Sequence, residues 1–428
     1  MKQKILILGS DLGTIDLAKT AKEMGYYVIT ADLMETSPTK ELSDESWMVS
    51  TQDIDALEVA VKENDIQAIL AGASEINNDS VRKLSKFLGI DYFGENENAY
   101  WVARDKRKFK DICISVGLPI AEDYFLSDNL SREELDKVKY PVVVKPVDQS
   151  GNRGVSFCGN EASLIDAYKL ARCSSNNPKI ICERCLHGEE WAVQYVIAEG
   201  EAKLIMFGRE NHQPNENANL YTFLNTTNYR LNQYLEETNE LVMEAFRRSG
   251  FKDGIAWVEV MRDENDGKFY IIECAHRMGS ESLYYMHREM SGFDSLKWMI
   301  EASLGNNHKI EDLPNYNLLK YQETAGAYHL FSRMKGRVNK ITGLDHIEKM
   351  SDVVVDIPKR GPYDVGLHTL MGEIRIKGQI DEVIEKIKFI NQTLKIEDDH
   401  GENMYIQFTD FDTLKKEFLI GLNEFQIN

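Results

Sequence analysis

Two glutamates on adjacent strand-like runs constrain this chain more than any other feature. Glu259 lies in the run IAWVEVM and Glu273 closes the run KFYIIE, with the turn-forming residues 263–267 between them. Folded as an antiparallel hairpin, the two runs bring Glu259 roughly opposite Glu273. Like charges directly opposite each other destabilise a sheet unless something positive lies between them. The pattern therefore predicts a hairpin that binds a hard divalent cation, and Mg²⁺ with a nucleotide phosphate is the commonest such case.

Length and charge limit the possible classes of protein. The 428 residues suffice for two or three domains with separate cores. A formal net charge of −20 argues against general binding to nucleic acid or to an anionic membrane. No apolar run approaches a membrane span, and the N-terminus reads as a buried strand and not as a signal peptide. We therefore expect a cytoplasmic protein with neither nucleic acid nor membrane as a partner.

Short apolar runs alternate with a helical stretch over residues 1–95. KILILG and YYVITAD flank TIDLAKTAKEMG, and AILAG follows, which is the βαβ rhythm of a doubly wound parallel sheet. Gly9, Gly13 and Asp32 also permit a dinucleotide-binding interpretation, so an NAD(P) oxidoreductase is one alternative. The G-x-G-x-x-G spacing is absent, and this alternative depends on those three residues alone.

A lysine and a small loop follow one another farther along the chain. Lys145 is near the end of the apolar run YPVVVKP, and the loop 148–154 comes directly after it. A lysine beside a loop with free backbone N–H groups suits phosphate oxygens. Glu183 lies within an apolar run, where a buried carboxylate needs a partner such as an adenine amino group; an edge position facing water is the alternative. Lys106, taken alone, is part of a charged helix face.

The second half of the chain offers fewer chemical signals. Residues 211–230, NHQPNENANLYTFLNTTNYR, are polar and rich in asparagine, which predicts a surface loop or lid. After about residue 310 a third region alternates strands and helices. Neither segment contains a motif that names a ligand.

In order and spacing, the chemically suggestive residues resemble the ATP-grasp superfamily, above all its carboxylate–amine ligases of the L-amino-acid ligase type, and also biotin carboxylase and D-alanine–D-alanine ligase. The resemblance spans about residues 1–310 and extends to the C-terminal region. It implies an α/β and α+β fold: a doubly wound parallel α/β domain over 1–95, an ATP-grasp domain over 96–310 with a smaller lid subdomain at about 125–190, and a C-terminal α+β region over 311–428 that completes the substrate domain.

The resemblance also implies a role for each residue of the series. The residues expected to bind ATP are Lys106 and Lys145 at the phosphates, Ser150, Gly151 and Gly154 over them, Glu183 and the backbone of Arg184 and Leu186 at adenine, and Glu190 at the ribose. Glu259 and Glu273 are expected to hold Mg²⁺, with Mn²⁺ as an alternative. Arg277, together with Lys145, is expected to act on the transferring phosphoryl group or on the substrate carboxylate.

One position departs from the pattern. Ala275 stands where relatives carry a metal-binding asparagine. The missing metal ligand must therefore come from water, from His276 or from an acid such as Glu281. The resemblance implies an ATP-dependent ligase that joins a small-molecule carboxylate to an amine through an acyl phosphate and releases ADP and phosphate, with a homodimer as the expected assembly. A bicarbonate-using carboxylase of the same fold and a non-catalytic ATP-binding protein are the alternatives.

Overall fold

Four parallel strands and four helices open the chain. The computed structural model describes residues 2–10, 12–89, 97–149, 154–175, 177, 179–213, 220–279, 282–306, 308–313, 321–358 and 360–426. The first elements are β1 (Lys4–Leu8), α1 (Leu12–Glu23), β2 (Tyr27–Ala31), α2 (Pro38–Leu42), β3 (Glu45–Trp47), α3 (Ile54–Asn64), β4 (Ala68–Ala71) and α4 (Glu75–Leu88). Their strands are ordered β3-β2-β1-β4. Because β1 and β4 are buried along nearly their whole length, they carry the unbroken apolar runs typical of parallel strands. The predicted parallel α/β unit is confirmed.

A small antiparallel sheet follows two linking helices. The elements are α5 (Glu97–Arg104), α6 (Lys106–Val116), α7 (Arg132–Leu135), β5 (Val142–Pro146), β6 (Ser156–Cys158), α8 (Glu161–Ser174) and β7 (Ile180–Arg184). Strand β5 is central, in the order β6-β5-β7, and α8 packs Leu164 and Ala167 against Val142 and Val144. This sheet lies within the range predicted for the lid subdomain, and the limits of the three domains stay predictions.

The rest of the chain builds around one large sheet. Its elements are β8 (Gly188–Ala198), β9 (Glu201–His212), β10 (Tyr221–Thr226), α9 (Leu231–Tyr234), a π-helical turn (Leu235–Asn239), α10 (Glu240–Ser249), β11 (Gly254–Asp263), β12 (Phe269–Ala275), α11 (Leu283–Ser291), α12 (Ser295–Ser303), a 3₁₀ turn (Ile310–Asp312), β13 (Thr324–Phe331), β14 (Gly336–Val338), β15 (Lys340–Thr342), α13 (Leu344–Ile347), β16 (Val353–Asp356), β17 (Tyr363–Val365), β18 (Leu370–Gly378), α14 (Ile380–Thr393), β19 (Lys395–Glu397) and α15 (Phe411–Gln426). Eight strands form the sheet in the order β12-β11-β8-β9-β10-β13-β18-β16. Since β13, β16 and β18 belong to it, the region after residue 310 completes the sheet.

Alternation along β8 shows what covers each face of the large sheet. Trp191 and Val193 pack with residues of α5, α6 and α10, whereas Ala192 and Val196 join a core shared with the N-terminal unit and with α11 and α12. Neighbouring side chains of a strand point to opposite faces, so one strand supplies both cores. The N-terminal unit therefore lies on the same face of the sheet as Ala192.

The prediction of a surface loop over residues 211–230 is wrong for the part that forms β10. Thr222, Phe223, Leu224, Asn225 and Thr226 are buried in the middle of the sheet. The asparagine side chains bond within the sheet: the Asn211 amide donates to the Asn225 side-chain oxygen at 2.8 Å, and the Asn225 amide donates to Thr324 at 3.1 Å. Polar composition predicted solvent exposure because hydrogen bonds between distant strands cannot be read from a sequence. Residues 214–219 of this segment lie outside the described residues.

Candidate active site

The hairpin of β11 and β12 places the two glutamates opposite each other, as predicted. Glu259 pairs with Glu273 in the strand register, and a bulge follows between Glu259 and Val260. Burial, followed by the charges of Glu273 and Glu190, raises the pKa of the Glu259 carboxyl to about 8. A cation between two carboxylates favours their charged forms and so relieves this crowding. Two facing carboxylates are also ligands of the kind that Mg²⁺ prefers, so these residues fit the expected metal.

Lys106 lies between the glutamate pair and the start of the predicted phosphate loop. It is the first residue of α6, directly after the N-cap Asp105. Its Nζ is 2.6 Å from a carboxylate oxygen of Glu273 and donates to the carbonyl of Gln149 at 2.9 Å. Burial would raise the pKa of Glu273, but the charge and hydrogen bond of Lys106, together with the charges of Lys145 and Arg277, outweigh burial and lower it. The Lys106 ammonium group therefore already contacts Glu273, one of the two predicted metal ligands.

Glu183 is buried between two lysines and does not face water. Lys145, on the neighbouring strand β5, approaches its carboxylate to 2.5 Å, and Lys110 from α6 bonds the other oxygen. Burial would raise the pKa of Glu183, but the two ammonium groups outweigh it and lower the pKa. The alternative of a carboxylate facing water is wrong, since Glu183 is only 4% exposed although β7 is an edge strand. Sequence reasoning missed Lys110, although its position one helical turn after Lys106 places both lysines on one face of α6.

The residues predicted to surround adenine and ribose lie at the junction of β7 and β8. Leu186 is buried, and the Arg184 N–H donates to the Glu122 carbonyl at 2.8 Å. The Arg184 carbonyl oxygen is therefore the backbone group that we expect to accept a hydrogen bond from a base. Glu190 is buried and bonds His212, with 3.0 Å between the Glu190 oxygen and Nε2.

A cavity of about 420 Å³ joins these positions. Predicted site residues in its lining are Lys106, Lys145, Glu183, Arg184, Leu186, Glu190, Glu259, Glu273 and Arg277. Gly154 borders the loop with a φ of +75°, and a Cβ there would come within 2.9 Å of Ser174, so the turn requires glycine. Ser150 and Gly151, predicted to cover the phosphates, lie outside the described residues.

Two further acids in the lining were not predicted. Glu75 comes from α4 of the N-terminal unit and bonds Arg277 Nε at 2.7 Å. Glu210, on β9, pairs directly with Glu190 in the strand register, and ligand atoms of Glu190, Glu210 and His212 all lie within 4.8 Å of one another. Only the packing of distant segments brings these residues to the site, and no local pattern marks them.

Comparison with known proteins explains the arrangement. Residues 138–283 match the family model of the ATP-grasp domain. This chain contains an ATP-grasp domain. D-alanine–D-alanine ligase B of Xanthomonas campestris is 27% identical over 237 residues, which are 51% of this chain and 71% of that protein. The biotin carboxylase domain of Hydrogenobacter thermophilus 2-oxoglutarate carboxylase superposes with a TM-score of 0.77 at 16% identity, covering 93% of this chain and 91% of that one. The L-amino acid ligase of Bacillus licheniformis superposes with a TM-score of 0.75 at 18% identity, covering 92% and 98%.

The ATP-grasp domain lacks one expected oxygen ligand at its hairpin. Ala275 pairs with Trp257 in the register and is 5% exposed. His276 does not replace the missing group: its Nε2 lies 2.7 Å from the Asp253 carbonyl, and its ring stacks on Phe251 at 4.3 Å. The expectation that His276 compensates is therefore not supported by the geometry, and Glu281 lies outside the described residues. Water and Glu281 stay the predicted substitutes.

The acid that suggested a dinucleotide site is engaged within the N-terminal unit itself. Asp32 is buried, bonds the hydroxyls of Ser10 and Ser37, and lies 3.2 Å from Lys40 Nζ. Its carboxylate is thereby committed to neighbouring side chains. Within the described part of the chain, every helix is too short or too polar to span a membrane.

Proposed function

We propose that this protein is an ATP-dependent ligase that activates a small-molecule carboxylate as an acyl phosphate for attack by an amine. The observation that carries the proposal is that two lysines, the facing glutamates and Arg277 line the same cavity. The presence of an ATP-grasp domain, and structural neighbours that include an L-amino acid ligase, support it.

The reaction requires positioning and charge neutralisation more than acid–base catalysis. A carboxylate oxygen attacks the γ-phosphorus and ADP leaves; the amine then attacks the acyl carbon and phosphate leaves. Lys106 and Lys145 supply positive charge toward the phosphates, and Arg277 supplies it at the transferring group or the substrate carboxylate. Glu259 and Glu273 would hold Mg²⁺, and the bound ion would neutralise negative charge on the phosphates. This chemistry needs no nucleophilic serine or cysteine.

The adenosine end of the cavity has a matching set of groups. Leu186 offers an apolar surface, the Arg184 carbonyl an acceptor for an amino group, and Glu190 an acceptor for ribose hydroxyls. Glu183 contacts both Lys110 and Lys145, and it fixes the direction of the Lys145 side chain. We infer that Glu183 acts on the nucleotide mainly through that lysine.

An assay of ADP release across pairs of carboxylates and amines tests the proposal. Turnover should require both substrates, and mass spectrometry should detect the amide product. Glu273→Gln should abolish turnover, whereas Glu264→Gln, on the exposed turn of the same hairpin, should not change it. Absence of amine-dependent ADP release with every pair would refute the proposal.

A bicarbonate-using carboxylase is the second candidate. The observation that favours it is the structural likeness to a biotin carboxylase domain whose complex holds MgADP, ADP and bicarbonate. Bicarbonate-dependent ADP release in the absence of any amine would support this candidate over the ligase.

A non-catalytic ATP-binding protein is the third candidate, because Ala275 removes a metal ligand. In that case ATP should raise the melting temperature, and Mg²⁺ should add little to the shift. The variant Ala275→Asn should then gain ATPase activity. An unchanged or lower activity in this variant would show that the natural metal shell is sufficient.

Assembly and location stay predictions. The likeness to a domain that was solved as a dimer supports a homodimer for this chain. Light scattering on the purified protein tests it, since a mass near twice 49.0 kDa is expected.

A further inference from the structure

Helix α4 of the N-terminal unit delivers a carboxylate to the cavity. The N-cap Ser74 accepts a bond from the Asn77 N–H, and the helix begins at Glu75. Residues 73–76 line the same cavity as Arg277. Glu75 lies outside residues 138–283, which match the ATP-grasp domain. A separate part of the chain therefore contributes to the site.

Arg277 is fixed by contacts on two of its nitrogens. Its Nε donates to Glu75 at 2.7 Å, and its Nη1 donates to the Met278 carbonyl at 2.9 Å. The guanidinium also lies 5.6 Å from the centre of the Trp257 ring. Arg277 is only 9% exposed, so these contacts are largely shielded from water. The carbonyl and the ring come from the same subdomain as Arg277, and the carboxylate of Glu75 is the charged contact that opposes rotation of the side chain.

Glu75 is itself anchored by other arginines. Its second oxygen lies 3.3 Å from Arg82 and 3.7 Å from Arg104. Arg82 in turn donates to the His276 carbonyl at 3.0 Å, next to Arg277 in the chain. Burial would raise the pKa of Glu75, but the charges of Arg277 and Arg82 outweigh burial and lower it. The carboxylate is therefore charged at neutral pH and cannot move freely with Arg277.

We propose that Glu75 is a positioning residue that holds the Arg277 guanidinium in its working direction, an inference that rests on the function proposed above. A guanidinium is planar with a fixed fork of donors, so its orientation decides which donors face a phosphoryl or carboxylate oxygen. A displacement of about 1 Å in such a group costs on the order of 10²-fold in rate. The N-terminal unit thus acts on the reaction through the ion pair of Glu75 with Arg277.

Kinetics of three single variants test the inference. Glu75→Gln should lower kcat by roughly 10- to 100-fold while the Kd for ATP changes less than about twofold, because the lysines and the glutamate hairpin are untouched. Glu75→Asp should recover part of the loss. Asp79→Asn is the matched control: it lies one turn along α4 and pairs with Lys83 and Arg104. It should leave kcat unchanged. An unchanged kcat in Glu75→Gln, or an equal loss in Asp79→Asn, would overturn the inference.

A double-variant cycle separates positioning from a general structural effect. In an Arg277→Lys background, Glu75→Gln should lower kcat by less than about twofold further, since the group it positions has gone. Equal losses in both backgrounds would show that Glu75 acts elsewhere. Should Glu75→Gln fail to fold, as a melting curve would reveal, Glu75→Asp carries the same comparison with a smaller expected loss.

A measurement that needs no turnover distinguishes failure of this inference from failure of the proposed function. The Nε–H of Arg277, assigned in the NMR spectrum by its absence in Arg277→Lys, should exchange with water faster in Glu75→Gln than in the wild type or in Asp79→Asn. If no pair of substrates supports turnover in the wild type, the ligase proposal fails and this exchange rate alone decides the role of Glu75. Unchanged exchange would refute it.

Discussion

Removal of Glu183 should destabilise this protein more than any other single charge removal at the site. The buried carboxylate lies between the buried side chains of Lys145, at 2.5 Å, and Lys110. Glu183→Gln leaves two buried ammonium groups without the carboxylate that both of them contact. Loss of one partner from a buried pair costs about 3–5 kcal/mol, so the free energy of unfolding should fall by that amount. Lys110→Met should cost less, about 1.5–3 kcal/mol, because Glu183 keeps its bond to Lys145.

Urea unfolding without nucleotide, followed by circular dichroism, measures these differences. The double variant Glu183→Gln/Lys110→Met should be more stable than the sum of the single losses implies by about 1–3 kcal/mol, since it removes one of the two unpaired cations. Lys137→Met, which breaks an exposed pair with Glu133, should leave the midpoint unchanged. Additive losses, or a Glu183→Gln variant within about 1 kcal/mol of the wild type, would refute the assignment of Glu183 as the shared counter-charge.

Three further predictions concern the pH dependence of stability, proton release on Mg²⁺ binding, and the large sheet. Because the pKa of Glu259 is raised to about 8, the folded metal-free protein keeps a proton that the unfolded chain has lost. The free energy of unfolding should therefore fall as the pH rises from about 5 towards 8. The variant Glu259→Gln should lack this pH dependence. Calorimetry in two buffers of different ionisation enthalpy should likewise show proton release on Mg²⁺ binding below pH 8, and no release would contradict the raised pKa. Gly326→Ala should lower the free energy of unfolding in urea by about 1–3 kcal/mol, since its Cβ would lie 2.6 Å from the Phe223 ring. Gly159→Ala is the control. No atom lies within 4 Å of a Cβ at that position, so stability should change by less than about 0.5 kcal/mol.

The glutamate hairpin could be predicted because its information is local. Alternation of apolar and polar residues fixes which side chains share a face, and a turn-rich link fixes the register within a residue. Glu259 and Glu273 therefore pair as the sequence indicates. In the parallel N-terminal unit the apolar runs of β1, β2 and β4 are equally local signals. The pairing of β4 with β1 joins segments that are distant in the chain.

The misassigned segment over residues 211–230 shows where local information ends. Asn211 and Asn225 are buried because they bond each other and Thr324, about a hundred residues later. A polar side chain with a partner in the core has the same sequence signature as one in water. Burial of such residues depends on the partner, and the partner is set by topology.

The same reasoning explains why the sequence indicated some residues of the candidate site and not others. Residues such as Lys145 and Glu183 lie on strands whose ends point into the cavity, so their chemistry is visible along the chain. Glu75 and Lys110 act through other side chains, namely Arg277 and Glu183, and a role of that kind depends on distances that no spacing encodes. Ala275 is the converse case. The sequence shows that an expected oxygen ligand is missing, but the effect on metal binding depends on which other groups reach the metal. Since His276 points to Asp253 and Phe251, water or an acid such as Glu281 must fill that place if Mg²⁺ is to be held by Glu259 and Glu273.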